Sequence, residues 1–320
     1  MTSLQHLPIW QRLQDSRNIL LAGAGGGFDV YSGIPIYESL LQLGKRVVLA
    51  NYSFTWLEET TAQEVFPHCY KIRMGDSDLS GRNYFPEKHL CAYYGTQGKY
   101  LTVYGFQRVG VKPILKAYQY LIKEHSVDTI ILIDGGTDSL MFGDEEGLGT
   151  PVEDICSMVA AHRTGLKNQL LLSIGFGVDH FHGVSHYRFL ENMAELTKDG
   201  AYLGALHLLP GMAEAQVFLD LVAYANTHMK RRPSIVANSI ASAIDGHYGD
   251  YHRTSRTVGS ELWINPLMSI YWGFDLHQLI RKVKYYDRIK DSNTVAEINA
   301  GILAYRRQAE RIREKRGLPI

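Results

Sequence analysis

The sequence predicts a doubly wound α/β fold, Rossmann-like, with a mostly parallel sheet covered by helices on both faces and a helical C-terminal part. Three observations predict it. Strand-length runs such as Thr129 to Ile133 and Gln169 to Ile174 are continuously apolar rather than alternating, as strands buried on both faces are. Segments with apolar residues at helical spacing separate them. The first apolar run, from Asn18, breaks into Gly23, Gly25, Gly26 and Gly27 and then into a helix, the strand, tight turn and helix with which such a domain begins.

Composition narrows the function classes. With 320 residues, 45% of them apolar, the chain can bury one large core, and a single domain over 1–320 is expected. Formal net charge is zero and like charges gather only around Arg306 to Arg316, which excludes a nucleic-acid surface. That basic segment, AYRRQAERIREKRG, reads as a solvated terminal helix. No apolar run approaches the roughly 20 residues of a membrane span. The N-terminal stretch has no charged region followed by an apolar one, so the cytoplasm is the expected location. Cys69, Cys91 and Cys156 are scattered and never in a CxxC spacing; they fit buried thiols, not a disulfide framework or a four-cysteine zinc site.

The elements follow in order. After the glycine turn, Pro35 to Leu43 supplies a helical face and Lys45 to Ala50 a second buried strand ending at Asn51. The segment 53–99 lacks periodicity and reads as an irregular excursion over the ligand edge of the sheet, followed by a strand at Tyr100 to Tyr104. Val111 to His125 has helical spacing and feeds the strand Thr129 to Ile133, which ends in Asp134-Gly135-Gly136-Thr137-Asp138. A helix over Thr150 to Arg163 has Thr150 as N-cap, Pro151 at its first position, and Glu153 and Asp154 in its first turn. The strand Gln169 to Ile174 leads through GFGVDHFHG to a helix from Ser185 to Leu196. A strand at Tyr202 to Leu206, a helix at Ala213 to His228 and a strand at Ser234 to Asn238 come next. Leu262 to Ile289, rich in Leu, Ile, Trp and Tyr, reads as helical and packs on the sheet or on a second copy, which makes a homo-oligomer the expected assembly.

In this fold ligands bind beyond the carboxyl ends of the strands, where the polar residues of this chain collect. Some cap helices, Thr150 and Ser185 first among them. The glycine loop can bind phosphate through its N–H groups, with Gly23, Gly25, Gly26, Gly27, Ser32, Asn51, Gly135, Gly136 and Thr137 as candidates to hold NAD or another nucleotide. The dinucleotide pattern G-x-G-x-x-G is incomplete, since Phe28 stands at the third glycine and Asn51 where a ribose-binding acid is expected. The span from Asp134 to Glu146 carries Asp134, Asp138, Asp144, Glu145 and Glu146. Its acids can hold Mg²⁺, with Asp134, Asp138 and Asp144 as ligands, bind ribose, act as a general base, or form a solvated loop. Asp179-His180-Phe181-His182 with His186 can supply an imidazole acid/base or a transition-metal site; His247 is a lesser candidate. No G-x-S-x-G turn and no cysteine at a glycine-rich strand end supports nucleophilic catalysis.

Four segments carry a resemblance. GGGFDVYSGIP, DGGTDSLMFGDEEGLGTPVED, FGVDHFHGVSHYRFLENMA and NPLMSIYWGFDL resemble the family called domain of unknown function 1152, from the first strand to about Leu276. The resemblance implies an α/β fold and a small-molecule site. The loop is also similar to that of the sirtuins in Gly23-Ala24-Gly25 and Ser32-Gly33-Ile34-Pro35, although the two parts are spaced two residues further apart and the sirtuin cysteine module and Gln-Asn-Ile-Asp segment are missing. That similarity implies a nucleotide-compatible loop and no protein deacylation. The expected function is an enzyme binding a nucleotide-like, phosphate-bearing small molecule. Asp29, Asp134, Asp138 or Asp179 with His180, His182 or His186 would cleave or transfer at an N-glycosidic bond. Mg²⁺-assisted hydrolysis and a non-catalytic nucleotide sensor are the alternatives.

Overall fold

Nine strands make one mixed sheet: β1 (Asn18–Gly23), β2 (Arg46–Tyr52), β3 (Gln63–Phe66), β4 (Cys69–Ile72), β5 (Val103–Phe106), β6 (Thr129–Asp134), β7 (Asn168–Ser173), β8 (Tyr202–His207) and β9 (Ile270–Asp275). Their spatial order is β3-β4-β5-β2-β1-β6-β7-β9-β8. The computed structural model describes residues 7–318; residues 1–6, the head of the N-terminal stretch that lacks a charged region followed by an apolar one, and 319–320 lie outside the described residues. The helices are α1 (Pro8–Leu13), α2 (Asp29–Ser32), α3 (Ile34–Gln42), α4 (Pro86–Thr96), α5 (Val111–His125) and α6 (Pro151–Arg163). They continue with α7 (His186–Lys198), α8 (Ala213–His228), α9 (Ile235–Ile244), α10 (Leu276–Ile280), α11 (Tyr286–Ile289) and α12 (Val295–Gln308). Among the described residues no helix is long and apolar enough to cross a membrane.

The five central strands, β5-β2-β1-β6-β7, are parallel, with Leu21 opposite both Leu49 and Ile131. Their continuous apolar runs feed two cores. Leu20, Ala22, Ile130 and Leu132 point to the face carrying α5, α6 and α12. Ile19, Leu21, Ile131 and Ile133 point to the face carrying α3, α8 and α9. The doubly wound expectation therefore holds. From β1 the chain turns to β2 on one side, while β6 lies on the other, so the crevice between the carboxyl ends of β1 and β6 is the topological switch point.

The edges depart from the sequence reading. The excursion over 53–99 contains the β3–β4 hairpin, antiparallel to β5, and the helix α4. Ser234 to Asn238 opens α9 rather than forming a strand: the Ser234 hydroxyl accepts from the Ala237 amide at 3.0 Å. A short apolar run without alternation fits either element, and here the cap decides. Leu262 to Ile289 is not one helical block, because Ile270–Asp275 inserts antiparallel between β7 and β8. That pairing is set by distant partners and leaves no local periodicity. Ser185 caps α7 as expected, accepting from Arg188 at 3.4 Å. Thr150 does not cap α6; its hydroxyl donates to Asp138 at 3.2 Å.

The basic tail is a helix only to Gln308. Beyond it the chain returns to the acidic loop, where Arg313 bonds Asp144 at 2.6 Å, Glu145 at 2.5 Å and Glu191 at 2.6 Å. Glu145 is 1% exposed and also accepts from the Phe142 and Gly143 amides. Arg313→Ala is expected to remove about 1–3 kcal/mol of stability by leaving that buried carboxylate without its counter-charge. Urea unfolding reads the change; a midpoint within error of the parent's would show that the amides alone satisfy Glu145.

Candidate active site

The loop after β1 turns on Gly26 and Gly27, at φ of 95° and 61°, a conformation L side chains rarely adopt. Asn51, at the end of β2 and fully buried, donates to the Gly27 carbonyl at 2.9 Å and to Glu87 at 2.7 Å. It props the loop from beneath and does not line the cleft, so it is not the direct nucleotide contact expected of it. The Gly25 amide donates to Asp29 at 2.6 Å. Gly25 is also a steric requirement, since a Cβ there would lie 2.5 Å from the Asp154 carboxylate. Among the described residues the amides of Gly27 and Phe28 have no acceptor, which leaves them for an anion.

Below the loop lies a cleft of about 400 Å³ whose floor holds five aspartates: Asp29, Asp134, Asp138, Asp154 and Asp179. They come from four chain segments: the start of α2, the end of β6 with its loop, the first turn of α6, and the loop after β7. None is more than 9% exposed. Asp134 accepts from the Ser139 hydroxyl, Asp138 from the Thr150 amide at 2.8 Å, and Asp179 from the Thr137 amide at 2.6 Å. Among the described residues Asp154 Oδ1, which is buried, has no hydrogen-bond partner. Oxygens of Asp29, Asp134 and Asp154 all lie within 4.8 Å of one another, close enough to share one cation.

Burial pushes all five carboxyl groups up, and repulsion within the cluster adds to it for Asp29, Asp134, Asp154 and Asp179. Asp29 is raised to about 8, first by desolvation and then by Asp138, against the opposing amide of Gly25. Asp134, Asp154 and Asp179 lie well above the ordinary carboxylate range for the same first reason, with Asp138 the largest charge acting on each. Asp138 is also raised by burial, and the nearby His182 opposes the rise. Among the described residues no Lys, Arg or His forms an ion pair with any of the five.

The rim has the opposite character. Arg232, Arg256, Phe54, Tyr84 and the Ser234-capped N-terminus of α9 line the mouth with the glycine loop. The helix end adds partial positive charge to that of the guanidinium groups. Basic rim and acidic floor together suit a ligand whose anionic groups meet the rim directly and the floor through a cation.

Of the expected site residues, Gly25, Gly26, Gly27, Asp29, Ser32, Asp134, Gly135, Asp138, Asp179 and His182 meet in this cleft. Gly23 closes β1, and Gly136 and Thr137 are tied into the wall, the first through its carbonyl to the Ser173 hydroxyl at 2.5 Å. Asp144 is outside the cleft, paired with Arg313. It does not join Asp134 and Asp138 around a metal. His180 is exposed and stacks on His186 at 4.8 Å. His186 packs on Phe176 at 5.1 Å, with burial lowering its pKa to about 4. Neither lines the cleft. Asp154 was legible only as a helix-favouring acid in the first turn of α6; the added signal was that this helix leaves the same glycine-rich loop as Asp134 and Asp138. Phe54, Tyr84, Arg232 and Arg256 sit in loops far apart in sequence and gave no signal.

A family model described as "Protein of unknown function (DUF1152)" matches residues 85–316. Asp134, Asp138, Asp154, Asp179, Arg232 and Arg256 fall inside that span, while the glycine loop, Asp29 and Phe54 precede it. The match is thus shorter at its N-terminal end than the resemblance drawn from Asn18 onward. Comparisons with curated proteins and with solved structures returned no match. The family match covers most of the chain, and the chain belongs to the DUF1152 family.

Proposed function

We propose that the chain is an enzyme that takes a phosphate-bearing, nucleotide-like small molecule into this cleft and hydrolyses or transfers a group from it with a divalent cation on Asp29, Asp134 and Asp154. The observation that carries the reading is the charge balance of the floor: five buried carboxylates and no basic partner among the described residues. A lone buried carboxylate is already unfavourable, and oxygen-rich clusters of this kind suit Mg²⁺ or Mn²⁺. The unbonded Oδ1 of Asp154 is a ligand atom with no other use in the protein.

The chain's own groups would divide the work. Arg232, Arg256 and the Gly27 and Phe28 amides hold phosphate oxygens, and the cation supplies charge stabilisation where the bond breaks. Asp138, Asp179 and His182 flank the same space, where a carboxylate or imidazole can orient a water and accept its proton. A second reading has one observation in its favour. With its pKa near 8, Asp29 holds a proton at neutral pH without metal, as a general acid at an N-glycosidic bond would.

The test is product analysis with NAD(P), ADP-ribose, nucleoside phosphates and pyrophosphate, each in Mg²⁺ and in EDTA. Turnover in Mg²⁺ that EDTA abolishes and added Mg²⁺ restores is the expected result. Release of a free base undiminished by EDTA would replace it with the glycosidic reading. Tight binding without products would make the protein a sensor, and no binding at all would remove the cleft from consideration.

A further inference from the structure

Two part-exposed aromatic side chains stand at and beside the mouth of the cleft, Phe54 on its lining with Arg108 5.2 Å from its ring centroid, and Trp56 in the adjoining cavity. Phe54 and Trp56 belong to none of the hydrophobic cores and remain 38% and 48% exposed. Phe54 lies against the glycine loop with Tyr84: a Cβ on Gly26 would be 2.9 Å from the Phe54 ring, and one on Gly27 2.8 Å from the Tyr84 hydroxyl. Past these rings a second cavity, of about 230 Å³, is lined by Phe54, Trp56, Arg82, Tyr84 and Arg232. It shares Phe54, Tyr84 and Arg232 with the acidic cleft, so the two spaces adjoin.

The guanidinium groups complete the pattern. Arg82 lies over the Trp56 ring, 3.1 Å from its centroid, and Arg232 is 5.9 Å from that of Tyr84. Stacked guanidinium and aromatic planes offer flat, polarisable faces. Such faces bind nucleobases with little regard to their edges, because every base has a π surface. An alkyl chain has no flat face to match them.

We infer that the second cavity is the subsite for a heteroaromatic base, so that the ligand is a nucleotide with its phosphates over Gly25 to Gly27 and its base among Phe54, Tyr84 and the Arg82–Trp56 stack. The inference rests on the proposed phosphate and cation cleft, and it adds the substrate class. It also gives the segment 53–84 a role: β2 leads into a loop that brings Phe54 and Trp56 to the ligand edge of the sheet.

Calorimetric titration of the full chain in Mg²⁺ tests it, with the four common nucleoside diphosphates, ribose 5-phosphate and inorganic pyrophosphate as probes. At least one diphosphate is expected to bind roughly tenfold or more tighter than pyrophosphate. Phe54→Ala and Trp56→Ala should each weaken that nucleotide by roughly 5- to 100-fold, Trp56→Ala while leaving pyrophosphate within about threefold, since Trp56 does not line the acidic cleft, and Phe54→Tyr should keep nucleotide affinity. Wild-type protein that binds pyrophosphate as tightly as every nucleotide would overturn the base subsite and leave the cleft reading standing. So would a Trp56→Ala variant that loses both ligands equally. If no phosphate compound binds in Mg²⁺, the cleft reading fails and the base subsite falls with it.

Discussion

Asp154→Asn is expected to yield a protein more stable than the parent in EDTA, insensitive to divalent cations and inactive. In the parent, the Asp154 carboxyl is buried beside four other aspartates, and one of its oxygens has no hydrogen-bond partner. The amide is nearly isosteric and carries no charge. Removing a buried acid that the folded chain must keep protonated while the unfolded chain ionises it should stabilise the metal-free protein by about 1–3 kcal/mol at neutral pH, a rise of a few degrees in unfolding temperature for a chain of this size. The same change removes an anionic oxygen from the cation site. Loss of even an outer-sphere partner costs about 10- to 100-fold in metal affinity or activity, and loss of a ligand should cost at least as much. Activity and stability thus move in opposite directions, as they do where function requires unfavourable placement of charge. Thermal unfolding in EDTA and in Mg²⁺, with turnover on the same samples, reads both halves. A variant less stable than the parent that still shifts upward in Mg²⁺ would show that Asp154 is a structural acid and that the cation sits elsewhere.

The centre of this molecule was more legible than its margins, for a physical reason. Strands such as Leu20–Ala22 and Ile130–Ile133 are buried on both faces, so each carries its own signature, and the polar residue at the end of each must fall on the ligand edge. Asp29, Asp134, Asp138 and Asp179 could be placed together on that rule alone. β9 could not: its partners lie about 70 and 100 residues earlier in the chain, and an antiparallel insertion obeys no local pattern. Asp144 misled for a similar reason. Its charge is answered by Arg313, 169 residues away, and sequence proximity to Asp138 said nothing of that. Asp154 shows the converse, since a residue that satisfies a helix rule in sequence can still owe its position to a site.

Stability without metal should fall as pH rises from about 6.5 to 8, the reverse of the usual behaviour of carboxylates. The sign follows from the direction of the shifts. Asp29 titrates near 8 in the folded chain against an ordinary 3.8, and Asp134, Asp154 and Asp179 are raised in the same sense. Between those values the folded state keeps protons that the unfolded state has released, so raising the pH favours unfolding, by about 1.4 kcal/mol per pH unit for each group concerned. Two half-buried histidines act oppositely at lower pH. His89 and His186 drop to about 4, so they add stability as pH rises toward their unfolded value of 6.5. Above 6.5 their contribution fades, and the buried carboxyl groups, the aspartates and Glu87, dominate that window. Cys69 and Cys91, raised to about 12 from 9, contribute only at higher pH. In Mg²⁺ the slope should vanish or invert, because the cation binds the ionised floor and its affinity grows as protons leave. Urea unfolding at pH 6.5, 7.2 and 8.0, in EDTA and in Mg²⁺, gives the comparison, and Asp154→Asn should flatten the EDTA series. Stability that is level or rising with pH in EDTA would mean that the aspartates are already ionised in the folded chain, and the floor would then need a counter-charge other than a bound cation.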